Sequence, residues 1–263
     1  MGQAIGEQLK ADYLIFACDK DKSKLENLKG INIEKSCLNL VGKVDTVILA
    51  VKPQELEELL NKIKPEVKGK PIISIAAGIS TGYIEKLLDN ARVIRAMPNI
   101  GAKIGKSVTC ICKGLFATEE DLGTAKEIFN NIGEVQELSE DMMNAATAIS
   151  GSGPGYYFYA IELNFEEYKT NHKKFHEDFV NSLAKAAREV GFNEKTAQFL
   201  AHWTIVYSDL LLKETGLKPG ELKKQVISKG GTTEAALEVL HRGGTLVDAV
   251  KAAVERAKAL SRG

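Results

Sequence analysis

Charge of either sign is missing as a net quantity: Lys and Arg total 35, Asp and Glu total 35, and the 263 residues are formally neutral. A chain that grips a nucleic-acid duplex carries a basic excess, so no nucleic-acid partner is expected. Long hydrophobic runs are missing too. Thr46-Val47-Ile48-Leu49-Ala50-Val51 is among the longest, far short of the roughly 20 residues that span a bilayer, so no membrane partner is expected. The opening Met1-Gly2-Gln3-Ala4-Ile5-Gly6-Glu7 has neither the basic start nor the apolar core of a secretory signal. Cysteine is scarce, and Cys18, Cys37, Cys110 and Cys112 are too irregularly spaced for a disulfide scaffold. No G-x-S-x-G elbow supports a hydrolase. With 44% hydrophobic and 27% charged residues, disorder is excluded. The expectation is a cytoplasmic globular protein.

What is present divides the chain. Short β-branched runs at Tyr13–Cys18, Thr46–Val51, Pro71–Ala76, Arg92–Ala96 and Ser107–Cys112 alternate with helical stretches at Lys20–Lys29, Pro53–Lys64 and Thr81–Leu88. Near-continuous apolar strands separated by helices predict a parallel sheet covered on both faces. Thr118-Glu119-Glu120-Asp121 has capping-box spacing. Beyond Glu140 the pattern is helical through residues 154–215 and again over Thr245–Leu260. The predicted fold class is α/β, an N-terminal Rossmann-like parallel-sheet domain (residues 1–138) followed by an all-helical domain (139–263).

Several segments have the composition of a binding site. Gly2 and Gly6 resemble the end of a G-x-G-x-x-G turn, where backbone N–H groups meet a pyrophosphate. Asp19, after the Tyr13–Cys18 strand, is either a ribose acceptor or the N-cap of a helix starting at Lys20, and the nearby Lys20, Lys22 and Lys24 suit a 2′-phosphate instead. Lys52, in Ala50-Val51-Lys52-Pro53, stands at the carboxyl end of a strand, where doubly wound sheets bind ligands. Ser150-Gly151-Ser152-Gly153-Pro154-Gly155 and Ser228-Lys229-Gly230-Gly231-Thr232-Thr233 each read as a flexible, donor-rich turn before a helix, suited to an anion. His172 and His176, at i,i+4 among charged neighbours, read as a solvated helix face rather than a zinc site. Cys110 and Cys112, in one strand, read as pointing to opposite faces, so no metal ligand set is expected.

With these pieces in order, the sequence resembles pyrroline-5-carboxylate reductase. The resemblance rests on Ala50-Val51-Lys52-Pro53, Ala76-Ala77-Gly78-Ile79, Val93-Ile94-Arg95-Ala96-Met97-Pro98-Asn99, Ala148 to Pro154, and Val226 to Thr233, spread over nearly the whole chain. It implies NADPH- or NADH-dependent reduction of 1-pyrroline-5-carboxylate to L-proline by a homodimer, or a higher oligomer of dimers, with interlocked helical domains. Carried over residue by residue, Gly2, Asp19, Ala50, Val51, Lys52, Pro53, Ala77, Met97 and Asn99 contact the dinucleotide. Glu140, Ser228, Gly230, Gly231, Thr232 and Thr233 form the substrate pocket, the N–H groups of Gly230 to Thr233 holding the carboxylate and the Thr233 hydroxyl the ring nitrogen. The chain departs from the family at Lys229 (usually Pro), at Ile100-Gly101 (usually Thr-Pro) and at Cys37, where an Asn contacting the adenosine side is common. The alternative is a non-catalytic homologue serving as a dimeric binding or regulatory module. A 3-hydroxyacid dehydrogenase is disfavoured because Tyr156 to Ile161 contains no lysine.

Two further expectations follow from that alignment of motifs. The first strand of the Rossmann sheet and most of its glycine turn are absent, so the native chain is expected to begin about ten residues earlier, with Met1 internal. The segment Asn164–Asn181 looks inserted; at 3.6 residues per turn it makes about five whole turns and is expected to project as a helical extension.

Overall fold

The computed structural model describes residues 1–26 and 28–261. In chain order the first half contains α1 (Gly2–Leu9), β1 (Phe16–Ala17), β2 (Asn32–Ile33), α2 (Cys37–Lys43), β3 (Val47–Leu49), α3 (Pro53–Ile63), β4 (Pro71–Ser74), α4 (Thr81–Leu87), β5 (Arg92–Met97), β6 (Ser107–Lys113), α5 (Glu119–Asn130) and β7 (Gly133–Glu137). Helices follow: α6 (Met143–Ala146), a π-helical turn at Thr147–Gly151, α7 (Gly153–Leu163), α8 (Phe165–Thr170), α9 (His172–Glu189), α10 (Glu194–Thr215), α11 (Pro219–Val226), α12 (Thr232–His241) and α13 (Leu246–Leu260). The starts are set as the sequence indicates. Pro53 opens α3, and Thr118 and Thr245 close capping boxes with Asp121 and Asp248 at α5 and α13. In place of the expected Lys20–Lys29 helix there is a 3₁₀ turn at Lys22–Lys24, capped by Asp21; position 27 lies outside the described residues.

The sheet is in two pieces. β1 pairs only with β2, and β3-β4-β5-β6-β7 form the main sheet. Among the described residues no strand lies between β1 and β3, the place a doubly wound sheet gives its central first strand. α1 stays docked beside that place through buried Ile5 and Leu9.

One expectation fails here: β6 runs antiparallel to β5, pairing Met97 with Cys110 and Arg95 with Cys112, while the other neighbours are parallel. The physical reason is the short 98–106 connection. A parallel return needs a crossover of a dozen residues or more, whereas here a 3₁₀ turn (Ile100–Ile104) closed by Gly105 at φ +67° reverses the chain.

Side chains alternate along these strands and feed three cores, Val93 joining Leu49, Ile72, Leu56, Leu60 and Ile84 in one of them. Ile94, Ala96 and Ile111 face α1 and α5. Met97, Cys110 and Cys112 face the helical half and join one core with Tyr156, Phe158, Leu183, Leu200 and Val250. The two thiols therefore share a face, contrary to expectation, as the two-residue period of a strand requires. Cys18 and Cys37, not expected to pair, form a disulfide with Cα atoms 5.6 Å apart.

The segment 164–181, expected to project, does not simply do so. It forms α8 and the start of α9, and it folds back so that the Tyr168 hydroxyl donates to Asp209 Oδ1 on α10 at 2.7 Å. His172, expected on a solvated face, sits 3.1 Å from both oxygens of the same carboxylate. No helix among the described residues is long and apolar enough to cross a membrane.

Candidate functional site

The two glycine-rich motifs, about eighty positions apart in sequence, meet at one hydroxyl. Ser152 Oγ lies 2.9 Å from Thr232 Oγ1 and accepts from Thr233 Oγ1 at 3.0 Å. Neither motif has quite the predicted form. The 150–155 motif is not a flexible turn: Ser150 and Gly151 lie in the π turn, and Gly153 already belongs to α7. A π turn inside a helix is rare and gathers at functional positions. Gly155 is there for proximity, since a Cβ on it would lie 2.6 Å from Thr233 Cγ2.

The 228–234 segment is a true turn before a helix, and its donors are partly committed. Gly231 N–H donates to the Ser228 carbonyl at 2.9 Å and Gly230 N–H to Glu234 Oε2 at 2.6 Å. A carboxylate contact from the Gly230 or Gly231 N–H would have to compete with these internal bonds. Thr232 and Thr233 remain, in the first turn of α12, where N–H groups have no intrahelical acceptor. Gly230, at φ +68°, turns its carbonyl to Arg256 Nε on α13, 2.6 Å away. Ser152 lies in the 150–155 motif that the sequence singles out, whereas Glu234 and Arg256, which brace the 228–234 turn, are not among the residues read from the sequence. For Arg256 no sequence signal existed, because its partner is a backbone carbonyl 26 residues earlier.

Glu140 is held elsewhere. Its Oε1 accepts from Arg95 Nη1 at 2.5 Å, and its Oε2 from Thr81 Oγ1 at 2.9 Å and Cys112 Sγ at 3.3 Å. A substrate contact would have to compete with all three. Burial alone would raise its pKa, but the Arg95, Thr81 and Cys112 donors more than offset this and hold it below the usual 4.5. Arg95 is only 3% exposed, and its Nε and Nη2 have no hydrogen-bond partner among the described residues, so Glu140 is its main compensation. Burial, with Glu140 alongside, pushes the Cys112 thiol up; burial also pushes Cys110 up to about 12. Neither is a ready nucleophile.

Asn99, at the end of β5, has its side-chain amide committed: Oδ1 accepts from Gly101 N–H at 3.0 Å and Val108 N–H at 3.3 Å, and Nδ2 donates to the Ser150 carbonyl at 3.2 Å. It thereby ties the sheet's edge to the π turn. Met97 is buried beside it in the core shared with α7 and α10.

The dinucleotide candidates lie along the carboxyl ends of the parallel strands. Ala50 and Lys52 are exposed after β3, with Val51 and Pro53 half-buried beside them, and Ala77 is exposed after β4. Gly2 opens α1 against Ala50, where any Cβ would come 2.7 Å from that of Ala50. Such a contact only glycine allows, and it brings the helix's free N–H end to the strand's end, as a pyrophosphate needs. Lys20 Nζ reaches Glu55 on α3 at 2.7 Å, fastening the loop after β1 to this edge. Asp19 accepts from Asp21 N–H at 2.9 Å, and the N-cap of the following turn is Asp21 rather than Asp19.

The chain is similar to known proteins over most of its length. Residues 175–260 match the family described as pyrroline-5-carboxylate reductase dimerisation, and residues 1–78 match NADP oxidoreductase, coenzyme F420-dependent. The chain is 37% identical over 238 residues to the pyrroline-5-carboxylate reductase of Methanosarcina acetivorans, covering 89% of this chain and 81% of that one. It is 33% identical to the Arabidopsis thaliana reductase, covering 89% and 79%. Among solved structures, the pyrroline-5-carboxylate reductase of Coxiella burnetii superposes with TM-score 0.66 at 28% identity, covering 100% and 95%. The Plasmodium falciparum pyrroline carboxylate reductase with NADP bound superposes with TM-score 0.63 at 28% identity, with the same coverage.

Proposed function

The chain belongs to the pyrroline-5-carboxylate reductase family, and from that membership we propose that its substrate is held where Ser152, Thr232 and Thr233 meet. The chain reduces 1-pyrroline-5-carboxylate to L-proline, the last step of proline biosynthesis, with NADPH or NADH. Nothing favours a non-catalytic module.

The observation that carries the site is the hydroxyl chain through Ser152. Thr233 gives its proton to Ser152, so its own oxygen keeps its lone pairs for a donor. A cyclic imine protonated on nitrogen is such a donor, and protonation makes its carbon electrophilic. The N–H groups of Thr232 and Thr233, at the positive end of α12, suit the substrate carboxylate. The reduced nicotinamide, when bound, supplies the hydride to that carbon. Gly2, Ala50, Val51, Lys52, Pro53 and Ala77, with Asp19 at the ribose side, would hold the dinucleotide, and Met97 with the Asn99 backbone would border the nicotinamide. The protein's work is positioning and electrostatics, which is why the site needs no histidine or free carboxylate.

In this reading residues 1–138 bind the dinucleotide and residues 139–263 supply the substrate pocket and the dimer contact. The chain carries the reductase dimerisation domain; pairing of two chains, assembly of pairs and residence in the cytoplasm are part of the proposal, without nucleic-acid or membrane partners. The test is oxidation of NADPH and of NADH with 1-pyrroline-5-carboxylate present. Thr233→Ala should lower kcat/KM about 10- to 100-fold, the scale of one lost hydrogen bond of about 1.4–3 kcal/mol. Unchanged kinetics would remove Thr233 from the site.

A further inference from the structure

The reductase reading makes no use of Cys18 and Cys37. The other two cysteines are closed off, Cys110 and Cys112 being buried under the helical half. Cys18 and Cys37 instead are half-buried, and their Cα atoms stand 5.6 Å apart, inside the range a bridge spans. Their place matters as much as their pairing. Cys18 directly follows β1 and directly precedes Asp19, at the carboxyl end of the sheet; Cys37 is the first residue of α2.

Besides the bridge, this rim has few ties: Ile31 is buried, Lys10 Nζ donates to the Lys29 carbonyl at 3.0 Å and Lys43 pairs with Glu34. β1 and β2 are two residues each, registered only as Phe16 with Asn32 and Ala17 with Ile33. On its other side β1 has no strand neighbour among the described residues. Among the described residues between the two cysteines there are one short 3₁₀ turn and β2. A single exposed ion pair, Lys20 to Glu55, fastens the loop to α3, and exposed pairs hold little.

We propose that Cys18 and Cys37 are a thiol–disulfide exchange site whose bridge holds the adenosine side of the cofactor site in its binding form, so that reducing the bridge weakens cofactor binding. The inference rests on the dinucleotide reading of this edge. The chemistry closes with a small-molecule disulfide such as oxidised glutathione as the oxidant. One cysteine thiolate attacks that disulfide, whose S–S bond breaks to release one glutathione. The second cysteine thiolate then displaces the other glutathione from the mixed disulfide. Two protein thiols are oxidised, one reagent disulfide is reduced, and the two cysteine protons end on the released thiols. With the bridge open, the cofactor must itself order the rim around Asp19 on binding, and that ordering is subtracted from its affinity.

The test uses the full chain, oxidised with oxidised glutathione or reduced with dithiothreitol, with free thiols counted after unfolding. NADPH and the fragment adenosine 2′,5′-bisphosphate are each titrated by calorimetry, and initial rates with 1-pyrroline-5-carboxylate are measured in both states. The oxidised chain should show two fewer thiols and bind NADPH and the fragment about tenfold more tightly, with KM for 1-pyrroline-5-carboxylate unmoved. Cys18→Ser and Cys37→Ser should each bind like the reduced chain whatever the oxidant. Equal affinities in the two states (absence of binding in both included), four free thiols after oxidation, or a redox response surviving in Cys18→Ser would each overturn the proposal. The reductase reading is scored separately, by turnover in the oxidised chain, and stands or falls regardless of whether affinity responds.

Discussion

Replacing Tyr168 by Phe removes one oxygen and little else, which makes it a clean probe of how the segment around α8 is held. The ring is 9% exposed and packs edge-on against His172 and Phe175, with centroids 5.0 and 5.8 Å away; Phe keeps those contacts. What goes is the 2.7 Å bond to Asp209. A hydrogen bond to a charged group contributes about 1.5–3 kcal/mol. Asp209 keeps Tyr157 at 3.2 Å, His172 at 3.1 Å and Lys213 at 2.6 Å, so the carboxylate is not stranded and the lower part of that range, about 1.5–2 kcal/mol, applies. For a chain of this size each kcal/mol moves the melting point by roughly 2–4 °C, which gives a fall of about 3–8 °C at matched protomer concentration.

The pH dependence supplies a second arm. Burial alone would raise the Asp209 pKa, but Lys213, Tyr168 and His172 more than offset it, and the folded carboxyl sits below its usual 3.8. A depressed carboxyl contributes stability that is present above its unfolded value and is lost as pH falls through the folded one. The difference between Tyr168→Phe and the parent should therefore be full at pH 7 and shrink below pH 3.8. A difference under about 0.5 kcal/mol at pH 7, the size of an ordinary surface substitution, or one that widens in acid, would refute the anchoring of α8 through Asp209.

Glu140→Gln should cost about 2 kcal/mol by denaturant midpoint, below the 3–5 of a fully buried pair because Glu140 is partly solvated, and it should do so through Arg95 rather than through substrate affinity. A raised KM for 1-pyrroline-5-carboxylate at unchanged stability would instead return Glu140 to the pocket. Gly101→Ala puts a methyl group 1.9 Å from the Lys106 carbonyl oxygen, a backbone atom that cannot swing aside. It should cost about 3 kcal/mol or more and show as insoluble or early-melting protein; a melting point within a degree of the parent would show that the β5–β6 turn relaxes freely.

Much of this was legible from the sequence because it depends on local chemistry. Pro53, Thr118 and Thr245 announced their helices, and the apolar runs at Val47–Leu49 and Arg92–Met97 announced buried strands. β7 was not seen, because Gly133-Glu134-Val135-Gln136-Glu137 is an edge strand with no buried apolar run to mark it. The antiparallel turn of β6 was in fact available, since residues 98–106 are too few for a crossover helix. The Cys18–Cys37 bridge and the Asp209 cluster were not, because each is a meeting of residues far apart in sequence. A charged segment such as Asn164–Asn181 reads as solvated throughout; that one tyrosine in it finds a buried carboxylate on α10 is a fact of tertiary packing alone.

The 150–155 motif shows the limit most sharply, because glycine carries two physical meanings that a sequence does not separate. It permits left-handed backbone, and it permits close approach. Read the first way, three glycines between serines become a flexible loop. In the fold Gly153 and Gly155 are helical, and the second meaning governs: a Cβ would lie 3.0 Å from Thr204 Cγ2 at Gly153 and 2.6 Å from Thr233 Cγ2 at Gly155. The missing side chains let α7 lie against α10 and α12, and only at that distance does Ser152 reach both Thr232 and Thr233. The candidate site is thus set by helix packing. Rigid elements hold reacting groups more closely than a loop does, as suits a reaction in which the protein mainly positions an imine.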